Sequence, residues 1–314
     1  MSKSRLKIFI IGPLHSANQN GLLMARAFSE EGHNVYAFPL GAPSFEIVKS
    51  VEQCKPDFVL QCGGRTVPHL HLTLLKQLGY KLVLWYPDAY GPNFVPDIDF
   101  FNQVKGVFDL ILIAVKGIVP QLEGYAKKVV WGPQYYDQTY YKPIINRLDP
   151  RCEIYNICFI GNNNGGVSPD RNVYIPKLYE KYRIKVVGKG FNVSSIVVET
   201  KEIANIFRNS KIALNFVTKI NPCELQMSDR IYKILGCGSF CVTQPIQGLE
   251  QLFQDGKHLV VFDDYEDLCN KIDYYLKHED EREKIALEGQ KEVLEKHTIN
   301  IRVNQYLEEI KDIL

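Results

Sequence analysis

Net charge is almost absent from the 314 residues: 37 lysines and arginines face 36 aspartates and glutamates. Residues 1–150 hold 15 basic and 12 acidic side chains and residues 151–314 hold 22 and 24, so neither half has the clustered basic face of phosphate-driven nucleic-acid binding. A local groove is not excluded. Long apolar runs are missing too. No stretch approaches the roughly 18 to 20 uninterrupted apolar residues of a membrane-crossing helix, and the start, MSKSRLKIFIIGPLH, runs into a strand without a signal-peptide cleavage pattern. No integral membrane segment and a cytoplasmic residence are therefore expected. The eight cysteines (Cys54, Cys62, Cys152, Cys158, Cys223, Cys237, Cys241 and Cys269) include no CxxC pair, which argues against a zinc ribbon. Most lie in or beside apolar runs, where a free thiol is a small hydrophobe, so a reducing compartment fits. Low-complexity tracts and short internal repeats are also lacking.

What remains is ordinary globular composition, 46% hydrophobic and 23% charged. The length exceeds one hydrophobic core, so two domains of roughly 150 residues are expected. Apolar runs suited to buried parallel strands recur as LKIFIIG, NVYAF, DFVLQC, KLVLWY, LILIAV and KVVW, separated by helical text such as GLLMARAFSE. Residues 1 to about 140 thus read as a doubly wound α/β layer. The tyrosine-rich YYDQTYYKPIINRLD (135–149), interrupted by Pro143, reads as linker text, and the linker between the two domains is set at residues 143–153. A second alternation follows in YNICFIG, YRIKVVG, KIALNFV, SFCVT and HLVVF. Charged text from Tyr265 onward reads as an amphipathic surface helix, and Asn300–Leu314 as a last helix that could pack back on the first domain.

In such folds ligands bind at the carboxyl ends of the strands, so the loops there carry the candidates. The loop GPLHSANQNG (12–21) is not a GxGxxG fingerprint; it offers His15, Ser16 and Asn18. His15 suits a catalytic imidazole or a solvated loop histidine equally. WYPD places Asp88 where the fourth strand ends, as a general base or as an Asx-type turn residue. Gly63-Gly64-Arg65 permits close backbone approach and aims a cation at the strand ends, although turn chemistry alone explains the glycines. In the second half, Gly161 and Asn162 of FIGNNNGG and Gly188 and Lys189 of KVVGKGF could meet an anion, or simply turn the chain. The stretch MSDRIYKILGCGSFCVT (227–243) reads as a short helix with Ser228 as N-cap; its free amides and Arg230 favour a diphosphate.

This last stretch, followed by GLEQLF, DGKHLVVFDDYEDLCNKIDYYL and HTINIR and preceded by YNICFIGN, IKVVGKGF and SKIALNF, resembles the carboxyl-terminal domain of CgeB-like glycosyltransferases over about residues 154 to 302. The amino half resembles the family more loosely, through WYPD and VVWGPQYYDQTYYKP. The resemblance implies an α/β protein of the GT-B class: two facing Rossmann-like domains with a donor and acceptor cleft between them, residues 1–142 taking the acceptor and 154–314 the nucleotide sugar. It implies a metal-independent transfer from a nucleotide diphosphate sugar, a UDP-sugar by fold analogy, which is a co-substrate; no cofactor is required. The acceptor hydroxyl stays open among a glycan, small molecule, protein or modified DNA. Arg230 matches the arginine that opens the family's helix, Lys189 its GKG lysine and Gly238 its small residue after cysteine. The implied donor set is Gly161, Asn162, Gly188, Lys189, Ser228, Asp229, Arg230, Tyr232, Lys233 and Gly238; Asn18, Arg65 and Tyr90 form the acceptor set, and Asp88 or His15 activates the acceptor. Lys233 departs from the family, which commonly has a glutamate there for the donor ribose or sugar. Lysine cannot accept those hydrogen bonds. Two alternatives follow: transfer to a hydroxymethylated base in DNA, and a nucleotide-sugar-binding protein with weakened catalysis.

Overall fold

The computed structural model describes residues 5–14, 19–39, 44–65, 67–88, 98–141, 154–163, 168–217 and 223–314. The expected linker, 143–153, and the candidates His15, Asn18 and Tyr90 lie outside them. The chain forms two compact units, Met1–Gln134 with Ile299–Leu314, and Tyr135–Thr298.

The first unit is built on a six-stranded parallel sheet with the order β2-β1-β3-β4-β5-β6. Its strands are β1 (Lys7–Gly12), β2 (Asn34–Pro39), β3 (Phe58–Cys62), β4 (Leu82–Tyr86), β5 (Leu110–Ile113) and β6 (Lys128–Trp131). Every residue of β3, β4 and β5 is buried. Helices cover both faces of a parallel sheet, which is why these strands read as unbroken apolar runs. Strand β2 lies at the edge, is partly exposed and tolerates Pro39 at its end. The helices are α1 (Asn20–Glu30), α2 (Ser44–Cys54), α3 (His69–Gln77) and α4 (Ile98–Gln103). The final helix, which will be α10 (Ile299–Lys311), belongs to this unit: Arg302 Nε donates to Gln134 O at 3.2 Å, Tyr306 Oη to Pro133 O, and Lys128 pairs with Glu309 and Asp312. At the amino ends of the strands Asp109 is fully buried; its carboxylate accepts from Leu82 N (3.0 Å) and pairs with Lys76 (2.6 Å) and Lys127 (2.8 Å).

The second unit carries a five-stranded parallel sheet, β11-β10-β9-β7-β8. Its elements are β7 (Tyr155–Ile160), α5 (Pro169–Tyr182), β8 (Lys185–Val187), α6 (Thr200–Arg208), β9 (Ser210–Asn215), α7 (Arg230–Gly236), β10 (Phe240–Thr243), β11 (Val260–Val261), α8 (Tyr265–Lys277) and α9 (Glu279–Lys296). The core joins Ile157, Phe159, Ile212, Leu214, Phe240 and Val242 of the strands to Leu268, Ile272 and Ile285 of α8 and α9.

Two local expectations change. The charged text after Tyr265 is two helices, broken at His278, and α9 also buries Ile285, Ala286 and Val293, which is more than a surface role. The tyrosine-rich stretch does not begin as a loose connector. Tyr136 and Tyr141 are buried within the second unit, and Tyr136 N donates to His297 O at 2.8 Å. Their rings supply the apolar area that the polar neighbours concealed in the sequence.

Candidate functional site

Each sheet reverses its strand order once. In the first unit the reversal falls between β1 and β3, in the second between β7 and β9. Loops leave in opposite directions at such a point and open a crevice at the carboxyl ends of the strands, where open α/β sheets take their ligands.

In the second unit the loops after β7 and β8, on one side of this reversal, are cross-linked by hydrogen bonds. Gly161 N donates to Val187 O (2.8 Å), Lys189 N to the Asn162 side-chain oxygen (2.9 Å), Asn163 N to Lys189 O (2.8 Å) and Asn163 Nδ2 to Gly190 O (2.9 Å). The loops after β7 and β8 therefore behave as one piece. Only glycine allows it, because a Cβ on Gly188 would lie 2.1 Å from Gly161 O, and one on Gly161 would lie 2.7 Å from Arg230 Nη2. Asn162 thus positions the loop that carries Lys189, and the Lys189 side chain is exposed, with no ion pair among the described residues.

Arg230 spans the reversal itself. Its Nε donates to Ile160 O at the end of β7 (2.7 Å), and its Nη1 to Asn215 Oδ1 (3.1 Å) and Phe216 O (3.3 Å) at the end of β9. The guanidinium lies over the Phe159 ring, 5.4 Å from the centroid, and Asn215 is held in turn by Thr243 (2.9 Å). Burial holds the Arg230 pKa below its ordinary value, opposed by Asp229. Nη2 makes no hydrogen bond among the described residues.

A side-chain relay backs the crevice. Ser168 Oγ donates to Val217 O (2.9 Å), Val217 N to Gln244 Oε1 (3.0 Å), and Gln244 Nε2 to Asp170 Oδ2 (2.7 Å), which ties the start of α5 to the ends of β9 and β10. Arg171, the next residue, is buried, and its Nε and Nη2 have no hydrogen-bond partner among the described residues. Burial and the charge of Arg230 lower its pKa to about 10. Sequence reading passed over Arg171, Asn215 and Gln244. A cation in the first turn of a helix opposes the positive end of the helix dipole, and for Arg171 that was the available signal.

The α7 candidates separate. The helix begins at Arg230, after Asp229, so Ser228 is exposed and is not its N-cap. Seven residues also make too short a helix for its dipole to organise an anion site, and the charge comes from the Arg230 side chain. Tyr232 is 1% exposed and its ring forms a cluster with Phe253 and His297, so it packs the interior. Gly238 sits past the opposite end of α7 at φ +75, where its N–H closes the helix on Leu235 O (2.8 Å), so its role is a left-handed cap. Lys233 pairs with Asp229 and lies 5.2 Å from the Tyr141 ring centroid. Burial opposes its charge, but Asp229 and Tyr141 outweigh that and raise its pKa, while Lys233 lowers that of Asp229.

In the first unit β1, β3 and β4 are neighbours, so the loops that carry the sequence candidates leave the sheet side by side. Gln61 Nε2 donates to Gly63 O (3.0 Å) and to Gly64 O, and a Cβ on Gly64 would lie 2.6 Å from the Tyr86 ring. Packing accounts for these glycines. Arg65 and Asp88 are exposed beyond them at the ends of β3 and β4. Among the described residues no group of three or more His, Cys, Asp or Glu is placed to hold a metal ion, and no helix is long and apolar enough to cross a membrane.

Residues 171–308 match the family described as glycosyl transferase-like. No curated protein matches. Among solved structures the chain is similar to a glycosyltransferase from Rickettsia africae (TM-score 0.70, 14% identity, 99% of each chain covered) and to sucrose-phosphate synthase from Thermosynechococcus elongatus (0.72, 10%, 99% of this chain and 100% of that one). It is also similar to HepE of Anabaena in complex with UDP and glucose (0.70, 12%, 98% of this chain and 100% of that one). The two parallel Rossmann-like sheets are those of the GT-B fold, and the glycosyl transferase-like match runs from α5, after β7, into the final helix.

Proposed function

We propose that the chain is a CgeB-like glycosyltransferase that moves a sugar from a nucleotide diphosphate sugar, a UDP-sugar, to an acceptor hydroxyl without a metal ion. The observation that carries this reading is Arg230, fixed by three acceptors across the β7/β9 reversal with Nη2 left over. Transfer breaks the bond between the anomeric carbon and the β-phosphate oxygen, and negative charge grows on that oxygen. A guanidinium already oriented before the reaction stabilises such charge without reorganising. The exposed Lys189 side chain adds to the positive side, and Asp229 Oδ1, opposite the oxygen bound by Lys233, offers the ribose a carboxylate. The UDP seen with HepE supports the choice of donor.

The acceptor side rests on Asp88, which takes the proton of the attacking hydroxyl, with Arg65 beside it; His15, Asn18 and Tyr90 complete the proposed set. The reading places the protein in a reducing cytoplasm, and the seven described cysteines form no disulfide among themselves. The test is release of UDP from a panel of nucleotide sugars in the presence of EDTA. Slow donor hydrolysis that survives chelation is expected, and binding without turnover would leave only the nucleotide-sugar-binding reading.

A further inference from the structure

Arg171 occupies the third position of α5, a 14-residue helix that starts at the ligand-side ends of the second sheet. It is 4% exposed, and two of its guanidinium nitrogens, Nε and Nη2, are buried without a hydrogen-bond partner among the described residues. Asp170, its neighbour in sequence, is bonded to Gln244, and no ion pair joins Arg171 to a described carboxylate. Its other charged neighbour, Arg230, repels it. Burial without a partner, a like charge nearby and the positive end of a helix dipole are three separate penalties on one cation. A bound anion removes all three together.

We propose that Arg171 is a second, buried guanidinium of the donor site, which with the Nη2 edge of Arg230 takes the diphosphate of the nucleotide sugar. The proposal rests on the transferase reading for the identity of the ligand, but its chemistry requires only a diphosphate. It explains why the relay through Ser168, Val217, Gln244 and Asp170 fastens the start of α5 to the strand ends: the relay sets the buried cation at a fixed place beside Arg230. It also couples ligand binding to stability, because an anion that binds the folded state offsets the repulsion between Arg171 and Arg230.

The experiment compares wild type with Arg171→Met in thermal melts and titrations with inorganic pyrophosphate and with UDP. Without ligand, the variant should melt roughly 2 to 4 °C higher, because an uncompensated buried charge has been removed. Its affinity for both ligands should fall by at least about tenfold, the worth of a charge-assisted hydrogen bond. Affinities equal to those of wild type would overturn the proposal. A readout that needs no variant is amide exchange of the wild-type protein with pyrophosphate: protection at residues 168–174 as well as 228–236 supports the site, and protection confined to 228–236 overturns it. Pyrophosphate binding through Arg171 with no turnover of any nucleotide sugar would sink the transferase reading and leave the anion site standing; turnover unaffected by Arg171→Met would sink the anion site alone.

Discussion

The two units expose the same edge of the same kind of sheet and build it differently. In the second, the loops after β7 and β8 are tied to one another by four hydrogen bonds, and Arg230 is planted by three acceptors. In the first, Gln61 and Tyr86 brace the Gly63-Gly64 turn from below, while Arg65 and Asp88 stand exposed above it. A diphosphate has fixed charge and shape, so a rigid, charged receptor suits it. Acceptor hydroxyls differ in everything except the hydroxyl, and exposed groups on loops suit that variety.

The sharpest way to break this contrast is Arg230→Ala. It removes the ligand cation and leaves Ile160 O, Phe216 O and Asn215 Oδ1 without their donor. Stability should fall by about 2–4 kcal/mol and donor turnover by about 10²-fold or more, read by urea denaturation and UDP release. Asp88→Asn should separate the two units' roles. Transfer should fall by about 10²-fold, while UDP affinity and the urea midpoint stay put, since an exposed side chain supports little of the fold. A drop in UDP affinity equal to the loss in rate would place Asp88 on the donor and undo the division of labour.

Asp109 tests the opposite end of the first sheet. Burial pushes its pKa up, but Lys127, Lys76 and the Leu82 amide outweigh burial and the folded value is lowered. Its contribution is therefore complete above the unfolded value of about 3.9 and is lost as the pH falls through the lower folded value. Wild type should exceed Asp109→Asn by a constant margin of about 1–2 kcal/mol between pH 5 and 8, shrinking below about pH 4. Turnover should not change, because the strands separate this carboxylate from the loops; a change would show that the two ends communicate.

The strands were legible because a parallel sheet buries both faces, and LKIFIIG or LILIAV then has no polar alternation to confuse it. The loops were legible as loops, and Gly161, Asn162, Gly188 and Arg230 do meet in space. Arg171 was not, since burial and a missing partner are properties of three dimensions. Tyr141, read as linker text, is buried for a related reason: tyrosine among polar neighbours suits a connector or an interior equally, and packing decides. Ser228 misled because N-cap preference is local, whereas the start of α7 follows from where Arg230 must reach.

Lys233 gives the smallest effect and the finest comparison. A glutamate there, as in the family that the sequence resembles, suggests that Lys233→Glu should tighten the donor by restoring a ribose acceptor. The structure argues otherwise. Lys233 neutralises Asp229 one helical turn away and lies against the Tyr141 ring, so glutamate would set two carboxylates at i and i+4 and lose the contact with the ring. Both groups are partly exposed, which limits the cost to about 0.5–1 kcal/mol of stability. Donor affinity should stay level or weaken as Asp229 is pushed from its place, and Asp229→Asn/Lys233→Glu should recover what the single change lost. A single variant that binds UDP-sugar more tightly than wild type would show that Lys233 faces the ribose and that Asp229 does not.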